Sequence, residues 1–232
     1  MGESNPPEEL QIELVETAPD ELPAGEDPRE RPGQSLLPLG KPHDEAVIAA
    51  AYPCLKQLLA HGQRGLERNE EVAGVLLGGI WRCPGGRVTE LREALCAEKT
   101  EAGLGHVTFS HESWNLIHEH VDQCAPGTRI VGWYHTHPGL GVFFSGQDRF
   151  IQRNFFAGEG QVGLVYDPQC EAVAGFEERQ GEVLALPGLW VCAPEESIRA
   201  ARALLHRLTF AGAGADRGGL LSGFGRLLGG KR

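Results

Sequence analysis

The chain has 232 residues, 41% of them hydrophobic, and a formal net charge of -11. That is enough apolar material for one sizeable core with loose ends. The charge is uneven: residues 1–40 hold ten acids and two bases, leaving 22 acids against 19 bases elsewhere. A nearly neutral folded part without a Lys/Arg run argues against nucleic-acid binding. No apolar stretch approaches the ~20 residues that span a membrane.

Residues 1–40 are rich in Pro, Glu and Asp and read as a disordered arm, with one short apolar alternation at Leu10–Glu16. The acidic start lacks the apolar segment of a secretory signal. None of the six cysteines, Cys54, Cys83, Cys96, Cys124, Cys170 and Cys192, forms a C-x-x-C pair, so a Cys-rich zinc ribbon is not expected. The expectation is a cytoplasmic protein with reduced, mostly buried thiols.

From Asp44 to Ala60 the apolar residues recur at helical spacing, with Pro53 as a kink and Gly62 and Gly65 as the close. Glu71–Ile80 is a nearly continuous apolar run that suits a buried strand. Pro84-Gly85-Gly86 turns the chain into a second strand, Arg87–Ala97, and Glu98–His106 reads as a loop. Ser110 is a suitable N-cap for a helix to about Gln123, with Trp114, Ile117 and Val121 on one face. Arg129–His137 is a strand, and a helix follows from Ser145 to about Phe155. Gln161–Tyr166, Ala172–Glu177 and Val183–Val191 are strands, and Glu195–Leu208 is an amphipathic helix. From Ala211 the chain is Gly-rich and reads as a loose tail. This order predicts one α/β domain with a mixed sheet and helices against it.

The chemistry lies in residues 131–148, VGWYHTHPGLGVFFSGQD. Side chains at i and i+2 share a face of a strand, so His135 and His137 point together, as do Val131 and Trp133, with Tyr134 and Thr136 opposite. Pro138-Gly139 turns the chain, and Asp148 in the first turn of the next helix can reach back to the same spot. Two imidazoles, one carboxylate and an open position make a catalytic rather than a structural zinc set. Ser145-x-x-Asp148 also has the form of a capping box, and each half of the pattern alone is weak. Capping and catalysis are compatible, because a capped serine keeps its hydroxyl in a fixed place.

The spacing His135-x-His137, seven residues, Ser145-x-x-Asp148 resembles the signature of the JAMM (MPN+/JAB1) metalloproteases, a zinc isopeptidase family. Glu71-x-x-Gly74-x-x-x-Gly78 fits the upstream strand pattern of that family, and the resemblance covers roughly residues 44–190. It implies a single MPN/JAB-type domain over residues 41–210, with a mixed curved sheet flanked by helices in a cytidine-deaminase-like architecture. It implies one Zn²⁺ per chain on His135, His137 and Asp148. Glu71 would be the general acid/base, preferred over Glu70, which strand alternation turns away. Ser145 would stabilise the developing oxyanion, and Glu98–His106 would gate the site. The implied reaction is hydrolysis after the C-terminal Gly of a ubiquitin or ubiquitin-like protein. The alternatives are processing of a small sulfur carrier with a Gly-Gly tail, or a non-catalytic MPN scaffold. The implied partners are that substrate and components of a conjugation system, with no nucleic acid and no membrane. Thr136 and Gly139-Leu140 depart from the DNA-repair-associated branch of the superfamily.

The other histidines are decoys. His118 and His120 point about 200° apart on a helix and cannot share an ion. His111-Glu112 starts like a helical zinc motif, but Asn115 stands where its second histidine is required. His43, His61, His106 and His206 are isolated. The C-terminal LLGGKR has the Gly-Gly of a modifier tail but too little chain before it to be such a domain.

Overall fold

The computed structural model describes residues 22–43, 46–97, 101–103, 106–108, 111–125 and 127–212. In chain order the elements are β1 (Gln34–Gly40), β2 (Ala46–Ala51), α1 (Tyr52–Arg68), β3 (Ala73–Cys83), β4 (Gly86–Cys96), β5 (Glu101–Gly103) and β6 (His106–Thr108). Then come α2 (His111–Cys124), β7 (Arg129–Thr136), α3 (Gly146–Phe155), β8 (Val162–Asp167), β9 (Ala172–Arg179), β10 (Glu182–Ala185), β11 (Gly188–Pro194), α4 (Ile198–Arg207) and β12 (Thr209–Phe210).

The long apolar run of β3 becomes an inner strand, buried on both faces from Ala73 to Ile80. Hydrogen bonding orders the main sheet β1-β11-β2-β4-β3-β7-β8-β9-β10, with β12 beside β9. Pairing is mixed: β2 runs parallel to β4 and β11, β7 parallel to β8, and the β4-β3-β7 centre is antiparallel. The sheet curls enough for Gly40 of β1 to lie against Phe210 of β12. One face packs Leu76, Tyr134, Leu164 and Tyr166 against Leu55 and Leu58 of α1 and Ala201 of α4. The other packs Val75, Leu77 and Trp133 against Trp114 and Ile117 of α2 and Ile151 of α3. The expected mixed sheet with helices against it is the fold observed.

Several expectations need correction. Residues 22–40 are part of the fold: β1 pairs with β11 through seven residues, Leu22 and Leu39 are buried, and Arg31 is ion-paired with Glu90 of β4. Composition misled there, because an edge strand needs apolar contact on one face only. Leu10–Glu16 and the residues after Gly212 lie outside the described residues. The first helix begins at Tyr52, not Asp44, because Pro53 is tolerated only in a first turn, and Ala46–Ala51 is a parallel strand with residues 47–50 buried. Gly62 and Gly65 lie within that helix, where they admit the Tyr166 ring and Val72; the helix ends at Asn69, in the left-handed region at φ 55°. The expected loop 98–106 includes part of a hairpin, β5 with β6. The expected strand Val183–Val191 is two strands, divided at Pro187, which has no N–H for a ladder. Of the six thiols, Cys54, Cys83 and Cys192 are buried, while Cys124 and Cys170 are exposed.

Gly74 and Gly78 lie in β3 where a side chain would have no room. A β-carbon at Gly74 would collide with the Leu95 carbonyl and the Tyr134 ring, and one at Gly78 with the Glu90 carbonyl. Gly78→Ala is expected to destabilise the domain by about 2–3 kcal/mol, read by denaturant unfolding. An unchanged midpoint would show that the strands can separate freely.

His61 of α1 is buried, with Nδ1 2.9 Å from the Tyr134 hydroxyl. Burial, helped by Arg64 and Arg68, lowers its pKa from 6.5 to about 4. As pH falls, the unfolded chain therefore takes up this proton first. Stability present above pH 6.5 is lost as pH falls toward 4. His61→Phe should lose less thermal stability than the wild type between pH 7 and 4.5; parallel pH curves would rule His61 out as the titrating group.

Candidate metal and catalytic site

β7 supplies the first candidate ligand near its end and the second just beyond it. It pairs with β3 through Ala73↔His135 and with β8 through His135↔Val165. Thr136 N–H donates to the Val72 carbonyl and His137 N–H to the Tyr166 carbonyl, each at 2.9 Å. The backbone on either side of the histidines is thus fixed from both neighbouring strands. Trp133 stacks on the His135 ring at 4.6 Å and 10°. Its indole N–H donates to Gln152 Oε1 at 2.9 Å, and Phe144 and Phe156 pack around it. Gly163 has no side chain because one would meet Phe144 and Gln152.

Val131 departs from the expected alternation. Leu76 pairs with Gly132 but Leu77 with Ile130, so Val131 is the extra residue of a β-bulge. It consequently packs on the Tyr134 side, not with Trp133.

α3 supplies the third candidate ligand. Ser145 is its N-cap: the Asp148 N–H donates to Ser145 Oγ at 3.1 Å and the Ser145 N–H to Asp148 Oδ2 at 2.6 Å. This reciprocal cap leaves Asp148 Oδ1 turned to His135 Nε2 at 3.2 Å, with Oδ2 3.9 Å from His137 Nε2. The two histidine Nε2 atoms are 3.1 Å apart. All three residues are buried, and their ligand atoms lie within 4.8 Å of one another. Burial, with His135 next to it, lowers the His137 imidazole from 6.5 to about 4, so its ring is neutral near neutral pH. Burial alone would raise the Asp148 carboxyl, but hydrogen bonds and charge from His135 and hydrogen bonds from Ser145 outweigh it and hold it at about 2.

The donor set fits zinc. Two nitrogens bound tetrahedrally at about 2.0–2.1 Å would be about 3.3 Å apart, close to the separation found here. The His137 Nδ1–H points to the Gly141 carbonyl at 3.2 Å, which leaves Nε2 as the lone-pair nitrogen. His135 Nδ1 is buried without a hydrogen-bond partner among the described residues.

Glu71 is half-buried and sits two residues before Ala73. It precedes β3, whose first residue, Ala73, pairs with His135. Glu70 is tied to Arg68 at 2.8 Å and half-exposed. Of the decoys, His120 pairs with Glu93 of β4 at 3.0 Å, while His118 lies beside Trp114. His61 is a core residue; Ser110 and the side chain of His111 lie outside the described residues.

Trp133, Gln152 and Asp167 carry no mark in the sequence that ties them to the site. No local pattern marks a buried carboxylate such as Asp167. Among the described residues, no helix is long and apolar enough to cross a membrane.

Residues 51–157 match the family described as JAB1/Mov34/MPN/PAD-1 ubiquitin protease. The chain is 27% identical over 145 residues to 26S proteasome non-ATPase regulatory subunit 14 of Drosophila melanogaster, covering 60% of this chain and 46% of that one. It is 32% identical over 136 residues to COP9 signalosome complex subunit 5 of Caenorhabditis elegans, covering 58% and 36%. A shorter match, 50% identical over 44 residues, is to the NAD(+) hydrolase TcpA of Theionarchaea archaeon (strain DG-70-1), covering 19% and 13%. The chain spans less than half the length of these relatives. Fold, site and family match agree on a single domain of the MPN class. Residues 51–157 thus carry a domain of the JAB1/Mov34/MPN/PAD-1 family.

Zinc at a hundredfold excess over its Kd should stabilise the protein by about 2.7 kcal/mol, or roughly 5–10 °C in Tm for a chain of this size. His137→Ala should abolish the shift. A wild-type Tm indifferent to zinc would count against the ligand set.

Proposed function

We propose that this protein is a zinc-dependent isopeptidase or peptidase that cleaves after the C-terminal Gly of a ubiquitin-like protein. The convergence of His135, His137 and Asp148 carries the reading. A non-catalytic scaffold has no need of three buried polar side chains brought together. A zinc ion held there would acidify water and polarise the scissile carbonyl.

The chain's own residues supply the rest. Glu71 takes the proton from the attacking water and returns it to the leaving amine, the work of one carboxylate in two successive roles. The cap fixes the Ser145 hydroxyl beside Asp148. From there its proton turns to the developing oxyanion, where a pre-placed donor lowers the barrier.

A thin, extended substrate is supported by the edge of β4. Strand β2 covers β4 only as far as Leu91, and beyond it the Ala94 N–H points outward to Gln57 Oε1 at 3.2 Å. A cleft of about 490 Å³ runs along this edge between α1 and α2, with Arg64, Cys96, Ala97 and Leu116 among its walls. At the Ala97 end, the Ala97 N–H donates to Ala73, the residue opposite His135. An unpaired strand edge accepts an extended peptide by main-chain hydrogen bonds, and a Gly-Gly tail is narrow enough to pass it.

Glu71→Gln should keep zinc and lose 10²-fold or more of the cleavage of a ubiquitin-like fusion, assayed against ubiquitin, bacterial ubiquitin-like proteins and sulfur carriers. A fully active variant would overturn the role of Glu71. No cleavage of any of these substrates by zinc-loaded wild type would overturn the substrate class.

A further inference from the structure

Asp167 ends β8 and is completely buried. A carboxylate in such a place needs donors, since an unsatisfied buried charge is strongly unfavourable. Backbone N–H groups of two turns provide them. Oδ1 accepts from Gly139 at 3.0 Å, Gln169 at 2.9 Å and Cys170 at 3.3 Å, and Oδ2 accepts from Gly141 at 2.8 Å. Gln169 and Cys170 belong to its own turn. Gly139 and Gly141 belong to the turn that leaves His137.

Gly141 is the residue whose carbonyl accepts the His137 Nδ1–H at 3.2 Å. Its N–H is therefore held by Asp167 and its C=O by His137. Gly139 and Gly141 have φ of 74° and 81°, a region that favours glycine, and the Leu140 N–H closes the turn on the His137 carbonyl at 3.2 Å. This turn has no regular ladder of its own, so the Asp167 carboxylate sets where the Gly141 carbonyl points.

We propose that Asp167 is a positioning residue for His137, acting through Gly141 to fix the ring orientation and the nitrogen that faces the metal. The proposal rests on the reading of His135, His137 and Asp148 as a zinc site. Outer-shell partners of this kind orient a ligating imidazole and raise its basicity, and their loss weakens metal binding about 10–100-fold. Here the outer partner is reached through one glycine, so β8 acts on His137 through this turn as well as through the Tyr166 carbonyl.

Asp167→Asn separates this role from simple packing. Its carbonyl oxygen can serve the Gly139, Gln169 and Cys170 donors, but its NH₂ then faces the Gly141 N–H, donor against donor. The zinc Kd, measured by chelator competition well below the Tm, should rise tenfold or more. In metal-free wild type, NMR should detect a proton on His137 Nδ1, and this signal should shift or exchange faster in the variant. An unchanged Kd in Asp167→Asn beside a zinc-binding wild type would overturn the role of Asp167 alone. So would a wild-type His137 protonated on Nε2 and bare on Nδ1, a measurement that does not depend on the variant folding. A wild type that holds no zinc would overturn the site reading and this inference with it.

Discussion

The site depends on β7 being hydrogen-bonded along both edges. Its antiparallel partner β3 sets Ala73 opposite His135, and its parallel partner β8 sets Val165 on the other side. A strand held on one edge only can twist or fray at its end. Here the last residues before the turn are gripped from both directions, by Val72 and by Tyr166. The two imidazoles leave a rigid platform, which the Asp167 turn meets from the exit of β8 and Asp148 from the start of α3.

That platform concentrates polar groups where the surroundings are apolar. His135 and His137 are 2% and 5% exposed, between the Trp133, Phe143 and Phe144 rings. In a low-dielectric pocket, charge interactions are strong and unpaired groups are costly. The protein meets the cost with short-range partners: the Ser145 cap for Asp148, the Gly141 carbonyl for His137, and Gln152 for the indole behind His135. The close packing of β3 on its neighbours, possible because Gly74 and Gly78 lack side chains, leaves little room for the platform to relax.

Much of the site was legible because it is written in short segments. His135-x-His137 follows a strand period, Ser145-x-x-Asp148 a capping pattern, and the Pro138-Gly139 turn joins them; all three are local rules. Glu71, 64 residues earlier, came only through family resemblance, since no local rule ties it to β7. The elements that were misread were those decided by distant partners. Gln34–Gly40 became a strand because β11 was there to pair with it, and Ala46–Ala51 because β4 and β11 enclose it. Val131 changed faces because of a bulge, which has no reliable mark in a sequence. Asp167 was invisible as a site residue because its four donors are backbone groups, whatever their side chains.

The reciprocal cap on α3 also bears on which cations the cluster prefers. Asp148 Oδ2 accepts from the Ser145 N–H at 2.6 Å, while Oδ1 turns to His135, so the cluster offers a single carboxylate beside two imidazole nitrogens. Calcium wants six to eight oxygens and frequently a bidentate carboxylate, and magnesium an octahedral shell rich in water; neither finds that here. A low-coordinate ion that takes nitrogen ligands would fit the donor set better. Two imidazoles and one carboxylate favour nitrogen-binding ions over the alkaline-earth ions, and the bond that starts α3 is what holds that carboxylate in place.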